Sequence, residues 1–338
     1  MAKLNKTYNI LIRLAIFVLT FYYLYDQLLY KHNLSSFWEH FGILTEERNF
    51  RLLFLVVLFL LPVNLLLESY KWKILIDNLE QVPLWNALKA VLAGISVSMF
   101  MPYRAGDFLG RVFILKKANR IQASLITVLG SLAQLLTTIL FGIIALVILI
   151  HKLLIQYHLM NWLFYAGIIV TALLIIALLV FAYLNLSAFS LIIQKISGQL
   201  FSKIEHYVEI FAWYDVNTLW KVLFLSILRY LVFSFQFFIL LKMFEIKISY
   251  TQAMVVISLI YLVMSVIPTI ALSELGVRGS VSLYVFDIFF GISRLPGYTA
   301  EKIVAASSVL WFLNLAIPAI SGIFFIFKLK FFRNNHDI

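Results

Sequence analysis

Arg104, Asp107 and Arg111 fall in one short stretch, M-P-Y-R-A-G-D-F-L-G-R at 101–111, and Glu274 and Arg278 fall in a second, S-E-L-G-V-R-G at 273–279. Arg229 stands alone near the centre of a long apolar run. An ionisable side chain at membrane depth costs roughly 2.5–3.5 kcal/mol on insertion scales, so it faces a cavity or pairs with an opposite charge. If 104–111 is helical, Asp107 lies three residues from Arg104 and four from Arg111 and can neutralise one arginine but hardly both. Glu274 and Arg278 are spaced (i, i+4) with the acid first, the better orientation. With Glu68 added, Arg104, Arg111, Arg229 and Arg278 face Glu68, Asp107 and Glu274, a slightly positive set. Guanidinium groups bind phosphate bidentately, and the N-terminus of a broken helix adds backbone donors. The chemistry indicated is recognition of a phosphate-bearing headgroup; the mixture of signs also suits a zwitterion. Glu274 is the candidate proton carrier. Each group also has a structural reading: an interfacial basic turn at 104–111, an ion pair locking a break at 274–278, and a packing pair of Arg229 with Glu274 or Glu68. Asn64, Gln134 and Asn314 read as interhelical hydrogen-bond glue.

Other chemistries are excluded by what the chain lacks. There is no cysteine, hence no disulfide, thiolate metal site or thiol nucleophile. The six histidines form no H-x-x-x-H pair, and no phosphate-loop or dinucleotide glycine string occurs. No metal and no cofactor are expected. The net charge of +11 sits on segments between apolar runs, which points to anionic lipid headgroups and cytoplasmic loops and away from nucleic acid.

The elements that must position these residues are membrane helices. Of 338 residues 63% are apolar and only 13% charged, too few polar residues for the skin of a soluble fold. The apolar runs are continuous, near the length that spans a bilayer, and do not alternate as barrel strands do. The fold class is an all-α polytopic membrane protein of about 7–9 membrane segments, in a single domain over 1–338. Runs are expected at about 9–30, 51–69, 122–150, 160–184, 218–244 and 302–327. Trp72 between Lys71 and Lys73 reads as an interfacial anchor. A first broken element covers about 87–115, turning near Pro102 and Gly106. As a full span it would put the basic loop of Lys116, Lys117 and Arg120 outside, against the positive-inside rule, so a re-entrant hairpin is expected. A second broken element covers about 250–292, with breaks at Pro268, Gly276 and Gly279 and a separate apolar piece at 280–292. Residues 187–215 read as an amphipathic surface helix. With both termini cytoplasmic, the two broken elements enter from opposite faces, the pattern of an inverted repeat with a midplane site.

E-S-Y-K-W-K-I-L at 68–75, P-Y-R-A-G-D-x-x-x-R at 102–111 and I-P-T-I-A-L-S-E-L-G-V-R-G at 267–279 occur in an order and spacing that resembles the transmembrane region of lysylphosphatidylglycerol synthases, over nearly the whole chain. The resemblance implies a flippase-like lipid module of a bacterial cytoplasmic membrane. In the bifunctional relatives a soluble aminoacyl-transferase domain follows; only a short tail follows the last run here, so lysyl transfer is not implied. Two departures stand out. Asp107 takes a position where the family often has Glu, and Gly279 follows Arg278 where an acid is common, the acid here being Glu274 upstream. The expected function is translocation of a phosphate-bearing lipid, with Arg104, Arg111, Arg229 and Arg278 on phosphate and Asp107 and Glu274 orienting them. The alternatives are a membrane enzyme acting on a lipid- or polyprenyl-phosphate and an accessory subunit of an envelope-synthesis complex. The expected partners are membrane lipids; a protein partner or homo-oligomer is compatible with the sequence.

Overall fold

The computed structural model describes residues 48–99, 101, 106–186, 209–267, 269, 271–291 and 297–326. Among them all regular structure is helical. Five of the helical stretches are long and apolar enough to cross a membrane: Phe50–Ile76, Arg120–Gln156, Trp162–Leu184, Val216–Met243 and Ala300–Phe325. The run at 9–30, residues 187–208 of the expected surface helix and the tail after 326 lie outside the described residues; Glu209–Trp213 form a short 3-10 turn.

Helix α1 (Arg48–Ile76) continues well past the expected end of its run near residue 69. This overturns the anchor reading of Trp72. Residues 68, 71, 72, 75 and 76 follow the i, i+3, i+4, i+7, i+8 stripe of an inward face, and all five are buried. Trp72 donates its indole N–H to Thr127 Oγ1 at 3.0 Å. Tyr70, on the opposite face, is exposed.

Helices α4 (Arg120–Gln156), α5 (Trp162–Leu184) and α6 (Val216–Met243) appear where continuous apolar runs place them. Each starts at a residue whose side chain accepts from the orphan N–H groups of the first turn: Asn119 from Ile121, Asn161 from Leu163 and Phe164, Asp215 from Thr218. Helix α7 (Tyr250–Val266) opens with a reciprocal capping box between Ser249 and Gln252.

The first broken element is a hairpin of α2 (Leu84–Ser98) and α3 (Gly106–Val112), two short helices packed face to face. Lipid supplies no hydrophobic force between helices, so close backbone approach must hold them. A Cβ on Gly110 would meet Gly94 Cα at 2.5 Å and the Ala93 carbonyl oxygen at 2.7 Å. Only hydrogen fits there. The loop after α3 is gathered by Glu80, whose carboxylate accepts from the backbone N–H groups of Lys116, Lys117 and Ala118. Arg104 and Pro102 lie outside the described residues, while Gly106 opens α3 at the end of the break.

The second broken element differs from expectation. Residues 273–279 do not interrupt the chain: Gly276 and Gly279 lie inside a single helix, α8 (Ala271–Phe290), so 280–292 is not a separate piece. The break falls one turn earlier. Ile267, at the end of α7, is extended (φ −79°, ψ 118°), the region favoured for a residue preceding proline, and Pro268 follows it in the sequence. Pro268 itself lies outside the described residues. A helical glycine costs only about 1 kcal/mol, so Gly276 and Gly279 do not stop a helix packed on the one at Gly297–Trp311. The stop is at Gly291, whose φ of +72° suits a glycine and whose N–H reaches the Asp287 carbonyl at 2.7 Å. Lys152 at the end of α4 lies over the Phe289 ring, 3.9 Å from its centroid, and donates to the Phe289 carbonyl, placing a cation at the negative end of α8.

The last run is one path made of α9 (Gly297–Trp311), a π turn (Phe312–Ala316) and α10 (Ile317–Ile326). Pro318 has no N–H to offer the Asn314 carbonyl, and the Ile317 N–H reaches back five residues to Phe312.

The packing pairs repeat when the chain's halves are exchanged. Within one half, α1 packs on α2, α2 on α3 and α3 on α4; within the other, α6 on α7, α7 on α8 and α8 on α9. Across the halves α1 packs on α6, α2 on α10 and α7 on α4. Helices α1 and α6 run antiparallel, since Gln236 bonds to the Val57 carbonyl and Arg229 to Asn64. This is the exchange of partners that an inverted repeat entails.

Gly110→Ala should destabilise by roughly 1–3 kcal/mol through overpacking. Gly167→Ala in α5, where an added Cβ meets nothing within 4 Å, should be neutral or slightly stabilising. Thermal unfolding of both variants in one detergent checks this; equal melting temperatures would refute the tight hairpin.

Candidate functional site

Glu68 is a carboxylate with 7% of its side chain exposed and three cations around it. Its Oε1 accepts from Arg111 Nη1 at 2.8 Å; its Oε2 lies 2.7 Å from Lys71 Nζ and 3.2 Å from Arg229 Nη1. Lys71 comes from the next turn of α1, Arg111 from the end of α3 and Arg229 from the middle of α6. Arg111 also grips Asp107 bidentately, Nε to Oδ1 at 2.8 Å and Nη2 to Oδ2 at 2.5 Å. The (i, i+4) spacing expected from sequence is therefore realised, and Asp107 serves Arg111.

Arg229 joins this network to an open space. Its Nε donates to Asn64 Oδ1 at 2.8 Å and its Nη1 to Gln134 Oε1 at 3.3 Å. Asn64 and Gln134 are interhelical glue, as expected, and they also aim the guanidinium. On the other side Arg229 lines a cavity of about 320 Å³, together with Gln134, Tyr230, Tyr261, Glu274, Arg278, Trp311 and Asn314. Glu274, in the first turn of α8, accepts from Arg278 Nη2 at 2.6 Å. Asn314, in the π turn, donates to Gln236 Oε1 at 2.8 Å, and Gln236 donates to the Val57 carbonyl. The cavity thus sits where α4, α6, α7, α8 and the π turn meet, next to the α7–α8 break.

The two breaks carry the same device. In α3 and in α8 an acid stands in the first turn and an arginine follows one turn later. An acid there complements the positive end of the helix. The outcomes differ by position: Glu274 and Arg278 line the cavity, whereas Asp107 and Arg111 do not and reach it only through Glu68 and Arg229. Arg104 lies outside the described residues. Lys71 was hidden from the sequence reading by its neighbours, yet its place on the stripe of Glu68, Trp72 and Leu75 signals an inward side chain. Tyr261 and Trp311 gave no signal, being ordinary apolar-run residues. Among the described residues no group of three His, Asp or Glu is gathered as a metal ion requires.

A family model described as the lysylphosphatidylglycerol synthase TM region matches residues 10–322. No curated protein and no solved structure matches the chain.

Removing one partner of a buried ion network costs about 3–5 kcal/mol, because the remaining charges stay buried. Glu68→Leu, which leaves three cations without their shared carboxylate, should therefore yield little folded protein, while Lys73→Ala, at a partly exposed pair with Asp77, should be nearly silent. Monodisperse yield on size exclusion reads the difference; a normal Glu68→Leu profile would show that the network does not hold the fold.

Proposed function

The chain belongs to the lysylphosphatidylglycerol synthase transmembrane-region family, and on that premise we propose that it is a translocator of phosphate-bearing lipids in a bacterial cytoplasmic membrane, with both termini in the cytoplasm. The observation that carries this reading is the cavity holding Arg229, Glu274 and Arg278 beside the interrupted α7–α8 element. Irregular backbone at membrane depth is tolerated where it lines a cavity, and broken helices in corresponding halves are the usual mark of a transport site.

A phosphate entering this space meets guanidinium groups fixed by other side chains, so little side-chain entropy is lost on binding. Arg229 is held by Asn64, Gln134 and Glu68, and Arg278 by Glu274. The acyl chains stay in lipid, against helices whose outer faces are apolar: Leu163, Leu174 and Phe181 of α5 are all exposed. In this reading the protein breaks and forms no covalent bond. Movement is passive or coupled to an ion, and the polar residues serve to replace headgroup hydration during the crossing.

The test is leaflet exchange of fluorescent phospholipids in proteoliposomes, with and without a chelator. Ser265 lines the cavity and Val266, its neighbour, is 74% exposed. Ser265→Trp should slow exchange by about tenfold or more, equivalent to at least about 1.4 kcal/mol of barrier, and Val266→Trp should behave as the wild type. Equal rates for the two would remove the cavity from the path. No exchange of any lipid by the wild type would sink the translocator reading, and turnover of a lipid phosphate abolished by chelation would favour an enzyme.

A further inference from the structure

Resting on that reading, we infer that the lipid taken by this cavity carries a headgroup of net charge −1 with no cationic part, a simple phosphodiester lipid, and that lysyl-bearing lipid is a poor ligand. The argument is charge balance. Among the described residues lining the cavity the ionisable groups are Arg229, Arg278 and Glu274, apart from the tyrosines, and they sum to +1. Extending the count to the ion network behind Arg229 adds Lys71 and Arg111 against Glu68 and Asp107, and the sum is again +1. One phosphodiester brings either set to neutrality. A zwitterionic headgroup leaves +1. A lysyl phosphodiester, with two amines and one phosphate, raises it to +2 in a low-dielectric space where like charges repel strongly.

Exposure points the same way. Glu274 is 6% exposed at its side chain and lies against Arg278, which is 13% exposed; Arg229 is 18% exposed. The carboxylate side chain is the least exposed of the three. A ligand ammonium needs an accessible carboxylate, and the one that lines this cavity is already engaged by an arginine. The neutral wall also offers hydroxyl and amide groups, from Thr138, Ser265 and Asn314, that can hydrogen-bond glycerol hydroxyls.

The experiment measures binding to the full chain in detergent by isothermal titration, apart from transport. The probes are short-chain phosphatidylglycerol, phosphatidylcholine, lysyl-phosphatidylglycerol and glycerol 3-phosphate. The expected result is that phosphatidylglycerol binds roughly tenfold or more tightly than the lysyl lipid, with the choline lipid between them. Glycerol 3-phosphate separates a lipid ligand from a free phosphate: if it binds as tightly as phosphatidylglycerol, the ligand is a soluble phosphate and the inference is overturned. Equal or tighter binding of the lysyl lipid overturns it too while leaving translocation intact, and binding of no probe overturns both. Arg278→Gln takes the sum over these residues to zero, so the ratio of phosphatidylglycerol to lysyl-lipid affinity should fall at least about fivefold. An unchanged ratio counts against the inference. If that variant does not fold, raising the salt on the wild type should weaken phosphatidylglycerol more than phosphatidylcholine, and equal weakening overturns it.

Discussion

A single buried carboxylate sets the arrangement of the membrane interior. Glu68 draws Lys71, Arg111 and Arg229 to one point and so fixes α1 against both α3 and α6. Three cations around one acid would be untenable without further acceptors. Asp107 supplies them to Arg111, and Asn64 and Gln134 supply them to Arg229. Net stabilisation is not the argument for such a cluster, since well-packed apolar residues can do as well or better. What it gives is register: α1, α3 and α6 have one relative position in which every partner is met. Arg229 can then present part of its guanidinium to the cavity without becoming a loose charge in the bilayer.

The two halves solve one problem in two ways. Each interrupts its helical path, restarts with an acid in the first turn, and follows it with an arginine one turn on. In the first half the small faces of α2 and α3 meet backbone to backbone, and the acid–arginine pair is drawn into the Glu68 network. In the second half α8 is a full 20 residues and its pair borders an open space. The first break is closed by backbone packing and the second borders a cavity. Symmetry of plan combined with asymmetry of packing is what separates the two halves.

The helices and the first hairpin were legible because they follow from strong local signals. Continuous apolar runs gave α4, α5 and α6, and the positive-inside argument over Lys116, Lys117 and Arg120 pointed to a hairpin of short helices where α2 and α3 pack together. The (i, i+4) pairs Asp107–Arg111 and Glu274–Arg278 were legible for the same reason, being set by helical spacing. Three things were not. Gly276 and Gly279 suggested a break, but isolated glycines are tolerated in a packed helix, and the chain stops at Gly291 where φ turns positive. Trp72 between lysines looked interfacial, because a tripeptide carries no information on how far its helix continues. Glu68 was one of two acids that the sequence offered to Arg229; that Glu68, 161 positions away, meets it is tertiary, and only the inward stripe of α1 hinted at that choice.

The π turn carries a consequence for how this chain can vary in length. It fits one surplus residue into a single turn between α9 and α10. If that turn relaxed to regular geometry with the residue kept, everything beyond would swing by about 100° around its axis. Ala319, whose carbonyl accepts the Ser96 hydroxyl at 2.6 Å, would then face away from α2. The same relaxation would move the Asn314 amide off Gln236. The surplus residue therefore works as a phase adjuster between two interfaces on one helical path. A one-residue deletion that takes up the bulge keeps the last ten described residues in phase, whereas a one-residue change in the regular helix on either side rotates them.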